Sequence, residues 1–472
     1  APGHILPLGV NIFEERQQKL AYYQAIQVEC RAVIRMAHRH ADLAEEQAAT
    51  GSLSAQRRAE LLAIAAVCRR VPEFPARSFH EAVQSFWFIH FALFSTGTKL
   101  SCGRLDQYLH PQLEKDLDEG RITLAEAQEL VDSLWLRFND RAQICRENFF
   151  LSVDDASGKK ANGNRQGGVV VDRGPSLGAE GHRQRFSFAA DAADAINHFG
   201  QNILLGGIRP DGSDGTNELT YLCLNALQKF AFTSPVVTVR LHRDSPRELL
   251  YRTADVLKTG GGMPFVNNDD LLIQAYVDLG VPLEDARDYA NSNCWETMIE
   301  GKSDQELLRG MNFLLFLELV LYRGHSKILG PLGPDTGDPC TFTDFSQLLQ
   351  AWKVQLDTQL QQGIDFIGRG LAEGTLEQSS HGKYKYNPFL SALTFDCVAN
   401  ERDVIRGGAR YTIWHIMGEA VANAIDAMGA IKKMVFEDHI LTMDALLDAL
   451  EANWDGHEDL RQRILARCPK FA

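Results

Sequence analysis

Pro235-Val-Val-Thr-Val-Arg-Leu241 is the stretch on which the fold turns. Valines at 236, 237 and 239 flank Thr238, and this density of β-branched residues makes it the strongest strand candidate in the chain. Upstream, Asn202-Ile-Leu-Leu205 is a second short apolar run that ends in Gly206-Gly207, and Thr216–Phe230 between the two has helical periodicity. Downstream, Pro246–Lys258 is again helical, and Gly260-Gly-Gly-Met-Pro-Phe265 turns into another strand. Leu271–Leu279 and Leu283–Tyr289 continue the alternation as helices. Such alternation predicts an α/β body, a sheet or barrel with helices outside it.

The first part of the chain reads differently. Phe13–Ala49 has few breakers and apolar residues at helical spacings (Leu20, Tyr23, Ile26, Val33, Met36). Ser54–Arg70 repeats this, and Val71–Pro75 ends it with two prolines. Ser78–Phe94 carries Phe79, Phe86, Trp87, Phe88, Phe91 and Phe94 and predicts a helix buried all round. Thr123–Phe138 starts with a capping pair, Thr123 and Glu126. From Ser152 to Gly181 the chain turns polar and glycine-rich, the signature of a loop or insertion. The expected organisation is a helical outer layer over 1–150, a polar loop or insertion over 151–195, and an α/β body over 196–472. There is no internal repeat and no long linker, so the 472 residues predict one large catalytic body.

Composition narrows the function. Hydrophobic residues make up 45% and charged residues 23%, which suits a globular protein. The net charge of −14 disfavours binding to nucleic-acid phosphates or to anionic membrane surfaces. No apolar run reaches the ~20 residues that span a bilayer, and Ala1–Leu20 lacks the pattern of a leader peptide. Nine dispersed cysteines without a Cys-x-x-Cys pair make a poor disulfide or zinc framework. The expectation is a cytoplasmic protein with reduced thiols, acting on a small molecule, as a homo-oligomer.

The sharpest chemical spot is Asn291-Ser-Asn-Cys294-Trp-Glu296-Thr. In a loop, side chains at 294 and 296 can face the same way and set a sulfur beside a carboxylate. Cysteine can then act as nucleophile or hydrogen-atom carrier, and glutamate as general base. The same residues also fit a buried structural cysteine beside a surface glutamate. A second spot is Arg406-Gly-Gly-Ala-Arg-Tyr411, followed by Trp414-His415, with a tight turn into a helix Val421–Phe436 as its plain reading. A third is His198-Phe199-Gly-Gln-Asn202, in front of the first strand. Asp211–Asp214 lacks the glutamate of a calcium loop and reads as a polar turn, and His38 and His40 read as solvated.

Taken in order, these pieces resemble the glycyl radical enzymes of the pyruvate formate-lyase and diol or choline lyase type. The resemblance is carried by Gly3-His4 with Pro7, Ser78–Ala92, Gly103-Arg-Leu-Asp-Gln-Tyr108, Phe199-Gly-Gln-Asn202 with Gly206-Gly207, and Asp214 to Tyr221. It continues through Val239-Arg-Leu-His242, Gly262-Met-Pro264 with Asn268-Asp269, Cys294-x-Glu296, Asn387-Pro388 to Leu393, Gly407-Gly-Ala-Arg-Tyr411 and Asp426 to Phe436. It implies a pyruvate formate-lyase-like barrel, ten-stranded in the family and open to being incomplete here, surrounded by helices, with a finger loop around Cys294. It implies further that Cys294 holds a transient thiyl radical, that Glu296 is the general base, and that Phe199, Trp295, Arg309 and His415 line the substrate pocket. The reaction implied is that of a radical lyase or dehydratase on a small polar metabolite.

Departures from the family pattern leave alternatives. Set against that family, the chain is expected to lack the C-terminal radical-glycine motif and an N-terminal helical portion, so the glycyl radical is expected in trans, from a glycyl-radical subunit served by an activating enzyme. Asn293-Cys294-Trp295-Glu296 stands where relatives have Gly-Cys-Val-Glu. Under that reading this chain holds no cofactor. The alternative is a copper or iron oxidoreductase that reuses the barrel, with His198, His242, His415 and Cys294 as candidate ligands. A catalytically silent relative is the third reading, which retention of Cys294 and Glu296 disfavours.

Overall fold

The computed structural model describes residues 12–95, 101–139, 201–292, 296–372 and 387–470. The polar stretch 152–181 lies outside them, as do His198 and Phe199. The chain separates into two compact units. The first takes its residues from Ala1–Val169, Ser187–Gln305 and Lys383–Ile413, the second from Val170–Phe186, Glu306–Gly382 and Trp414–Ala472.

In the first unit the expected strand–helix alternation is present. Strand β1 (Asn202–Gly206) runs parallel to β2 (Val236–Leu241), which runs parallel to β3 (Phe265–Asn268). Helix Glu218–Phe230 joins the first two strands and helix Arg247–Leu257 the second and third. Asn217 caps the former through a reciprocal box with Thr220. Strand β1 is buried at every residue, as parallel strands covered on both faces are. Ile203, Leu204 and Leu205 are fully shielded from solvent, each worth about 1.5–3 kcal/mol of burial. On the far side of β1 the chain at Cys102–Gly103 adds a short parallel pairing, in which Leu204 N–H donates to the Gly103 carbonyl at 2.8 Å.

The helical first part packs onto this sheet in one core. Phe79, Leu105, Leu113, Trp135 and Phe138 meet Ile203, Leu205, Leu219, Val237 and Val239. The long helix Ile12–Ala48 lays Val33, Ala37, Ala41, Ala44 and Ala48 against Leu61, Ala65 and Cys68 of helix Ala55–Arg70, which Ser54 caps. Small residues at this spacing let two helices approach closely. The aromatic helix, Phe79–Ser95, departs from expectation: Phe91 is 41% exposed, so its burial is one-sided. His40 is exposed, and His38 pairs at the surface with Glu73.

Strands β4 (Tyr289–Asn291) and β5 (Thr297–Ile299) form an antiparallel hairpin. Strand β6 (Ser303–Asn312) pairs with the strand Tyr411–Glu419, and the division between the units falls within both. The sequence reading made 411–419 the approach to a helix. Instead Tyr411-Thr-Ile-Trp-His-Ile416, dense in β-branched and aromatic residues, extends as a strand. The helix after it, Val421–Ile431, gives way to a π-helical turn over Lys432–Glu437.

The second unit packs helix Phe313–Leu321 against Phe345–Ala372 around Phe316, Leu317, Val320, Leu348 and Trp352, joined by Met434, Met443 and Leu446. A small hairpin of β7 (His325–Ser326) and β8 (Gly330–Pro331) precedes the longer helix, and Tyr411–Glu419 is accordingly β9 in chain order. Among the described residues no helix is long and apolar enough to cross a membrane.

Candidate active site

The hairpin β4–β5 brackets the sharpest spot in the sequence. Its ladder pairs Tyr289 with Ile299, Ala290 with Met298 and Asn291 with Thr297. One step further, Ser292 N–H donates to the Glu296 carbonyl at 2.7 Å. The Ser292 hydroxyl also donates to the Glu296 carboxylate. Residues 293–295, Cys294 and Trp295 among them, lie outside the described residues, yet both ends of that triplet are pinned to each other. Glu296 is half-buried, and among the described residues no lysine or arginine pairs with it.

A buried polar row ties the hairpin to the sheet. Asn291 donates to Thr238 Oγ1 at 3.3 Å and accepts from Asn267 Nδ2 at 2.9 Å. Thr238 in turn reaches Asn202 Oδ1 at 3.4 Å. Asn202, Thr238 and Asn291 are fully buried. Each strand of the sheet thus contributes one polar side chain to a row that ends at Asn291 on β4. The sequence reading missed this row; its only signal was asparagine or threonine inside otherwise apolar strands.

Beneath the row lies a buried ion pair. Arg240, next to the C-terminal end of β2, donates to both Asp269 oxygens at 2.8 and 2.9 Å and to the carbonyls of Tyr289 and Arg287 at 2.9 Å. Its guanidinium sits 3.8 Å from the Tyr289 ring centroid, and the Tyr289 hydroxyl donates to Asp269 at 2.6 Å. Burial pushes the Tyr289 hydroxyl far above its usual pKa, so it stays a donor. A side-chain carbon at Gly207 (φ +78°) would fall 2.6–2.8 Å from Arg240 and Asp269, which explains the glycine that follows β1. Tyr276, pushed up to about 12 by burial, donates to Thr297 at 2.9 Å and braces β5.

The remaining expected residues fall as follows. His242 follows β2 and bonds Asp214 at 2.7 Å. Arg309 lies on β6 and His415 on β9, both in the second unit. Tyr411 donates to Asp285 at 2.5 Å in the first unit, so the Arg406–Tyr411 stretch braces the chain near the hairpin. Asp211 turns back on Ser213 as a polar turn does. Among the described residues no group of three or more His, Cys, Asp or Glu is arranged to hold a metal ion.

Comparison with known proteins gives a consistent picture. A family model described as pyruvate formate lyase-like matches residues 11–472. Trans-4-hydroxy-L-proline dehydratase of Clostridioides difficile is 30% identical over 457 residues, 96% of this chain and 52% of that protein. Isethionate sulfite-lyase of Nitratidesulfovibrio vulgaris is 33% identical over 462 residues, 95% of this chain and 49% of that one. Among solved structures, the glycerol-bound B12-independent glycerol dehydratase of Clostridium butyricum superposes with a TM-score of 0.74 at 29% identity, covering 98% of this chain and 52% of that chain. The chain therefore spans about half the length of the relatives it matches.

Proposed function

The chain belongs to the pyruvate formate lyase-like family, and from that premise we propose that it forms the thiol-and-carboxylate half of a radical lyase acting on a small polar substrate. The resemblance expected from the sequence holds, as does the α/β fold class. Support for the mechanism comes from Ser292 and Glu296, which flank 293–295 in sequence and bond to each other, and from the Glu296 carboxylate, which pairs with no lysine or arginine among the described residues.

In the proposed reaction Cys294, as a thiyl, takes a hydrogen atom from a substrate carbon. One S–H bond forms and one C–H bond breaks, leaving the unpaired electron on carbon. Glu296 accepts the proton of the hydroxyl on that carbon while the neighbouring leaving group departs with its bonding pair. The thiol then returns its hydrogen atom to the product radical. Ser292 orients the Glu296 carboxylate and is free to follow it through protonation, since a hydroxyl can donate or accept. The unpaired electron is supplied by a glycine radical outside the described residues, installed by an activating enzyme. Relatives named as dehydratases and a sulfite-lyase fit the substrate class proposed here, a short hydroxylated molecule bearing water or an anion as leaving group.

The test is anaerobic turnover of the activated full-length protein on a panel of vicinal diols and hydroxysulfonates. Cys294→Ser is expected to abolish turnover on whichever compound reacts. Full turnover by that variant would remove the thiol from the mechanism.

A further inference from the structure

The underside of the β4–β5 hairpin carries two anchors to which the proposed chemistry gives no part. Side chains alternate between the two faces of a hairpin. Tyr289, Asn291, Thr297 and Ile299 therefore share the face turned to the sheet, and Ser292 and Glu296, the next cross-strand pair, share the opposite one. The hydrogen bonds follow this division. Asn291 reaches Thr238 on β2 at 3.3 Å and Asn267 on β3 at 2.9 Å, using both ends of its amide. Thr297 accepts from Tyr276, on the helix Asp269–Asp278 that follows β3. The Ser292 hydroxyl instead bonds the Glu296 carboxylate.

One anchor thus stands immediately before Ser292 and the other immediately after Glu296. They differ in strength. Thr297 takes a single bond from a tyrosine on a neighbouring helix. Asn291 is fully buried and bridges two strands at once, and Thr238 passes the contact on to Asn202 of β1 at 3.4 Å. The root of the hairpin is closed separately. Glu300 N–H donates to the Asp288 carbonyl at 3.1 Å, and Arg104 holds both acids, its guanidinium on Asp288 at 3.1 Å and its backbone N–H on the Glu300 carboxylate at 3.1 Å. Loss of the Asn291 bonds therefore frees the Ser292 end of β4 while the root stays closed.

We infer that Asn291 is a positioning residue for the base: by fixing the end of β4 to β2 and β3 it sets the direction in which Ser292 presents the Glu296 carboxylate. The inference rests on Glu296 being the base of the proposed reaction, which Glu296→Gln tests by itself.

The experiment uses the activated full-length protein on whichever diol or hydroxysulfonate reacts. It is run at about pH 8.5, clear of the Glu300 carboxyl, which burial and then Asp288 push up to about 7. Asn291→Leu keeps a branched side chain and removes both bonds. Its kcat is expected to fall about tenfold to a hundredfold with KM within about twofold, because a base held off line slows the chemistry and not the binding. Thr238→Val is expected to show the same split more weakly, and Thr238→Ser, which keeps the hydroxyl, to recover it. In the Glu296→Gln background Asn291→Leu should cost less than about twofold more, since its effect passes through the missing carboxylate. Wild-type kcat in Asn291→Leu, a loss confined to KM, or a further full-sized fall in the Glu296→Gln background overturns the inference. So does a crystal structure of Asn291→Leu that keeps the Ser292 hydroxyl on the Glu296 carboxylate, a result that needs no turnover. If Asn291→Leu does not fold, Thr238→Val against Thr238→Ser decides, and equal kcat values overturn it. Full turnover by Glu296→Gln takes down the base reading and the inference with it, whereas the other failures leave that reading standing.

Discussion

At the scale of single residues, Glu296 and Arg240 show two opposite uses of charge. Among the described residues Glu296 pairs with no cation and is held by Ser292, so on the proposed mechanism replacing it with glutamine removes the base while leaving the shape. Turnover in Glu296→Gln should fall about 10²–10⁴-fold with little change in KM, read by steady-state kinetics under anaerobic conditions. A loss confined to KM would instead make Glu296 a binding group. Arg240 is fully buried and satisfied by Asp269 and two carbonyls. Arg240→Met strands Asp269 in the interior, and urea unfolding should show a loss of about 3–5 kcal/mol. Of these residues the sequence showed Glu296 through its spacing from Cys294. Arg240 drew notice only as part of a strand, because a charged residue inside a valine run gives no hint of its counter-ion 29 residues later.

At the scale of elements, the hairpin and the sheet are joined both by the apolar cluster of Leu204 with Tyr289, Ala290 and Ile299 and by the row of hydrogen bonds through Thr238 and Asn291. Thr238→Val keeps the shape of β2 but leaves Asn291 Nδ2 without that acceptor, and should cost about 1–3 kcal/mol in a thermal or urea melt. Asn217→Ala removes the side-chain half of a capping box, leaving the Asn217-position amide on Thr220 Oγ1, and should cost about 0.5–2 kcal/mol, independent of any effect on the site. The buried strands β1 and β2 were legible because parallel strands covered on both faces read as unbroken apolar runs. The short strands β4 and β5 were not: three residues each, with asparagine, threonine and tyrosine among them, carry no periodicity to detect. Strand β9 was hidden by the paired glycines in front of it, which suggested a turn, although its aromatic and β-branched run was the truer signal.

At the scale of the whole molecule, stability and proton binding are linked through groups of opposite sign. Burial raises the Asp285 carboxyl, but hydrogen bonds from Lys302 and Tyr411 outweigh it and hold the group below its usual pKa. Its contribution is present above the unfolded value of 3.8 and is lost as pH falls further. Glu300 works the other way. Its folded pKa of about 7 exceeds the ordinary 4.5, so the native state loses stability as pH climbs from about 4.5 to about 7. Thermal melts across pH 3 to 9 should therefore peak in the mildly acidic range, and Glu300→Gln should flatten the fall on the neutral side. An unchanged neutral limb in that variant would assign the fall to other groups. The family was legible from motifs spread along the chain in order, whereas residue pKa values depend on which distant segments meet and were not.

The Ser292–Glu296 closure has a practical consequence. Because Ser292 and Glu296 bond to each other in both backbone and side chain, the flanks of the triplet form a fixed chuck whatever bit it holds. Swapping Asn293-Cys294-Trp295 for Gly-Cys-Val should leave the melting temperature within a degree or two, roughly the reach of a few tenths of a kcal/mol, while retuning which compounds the thiol accepts.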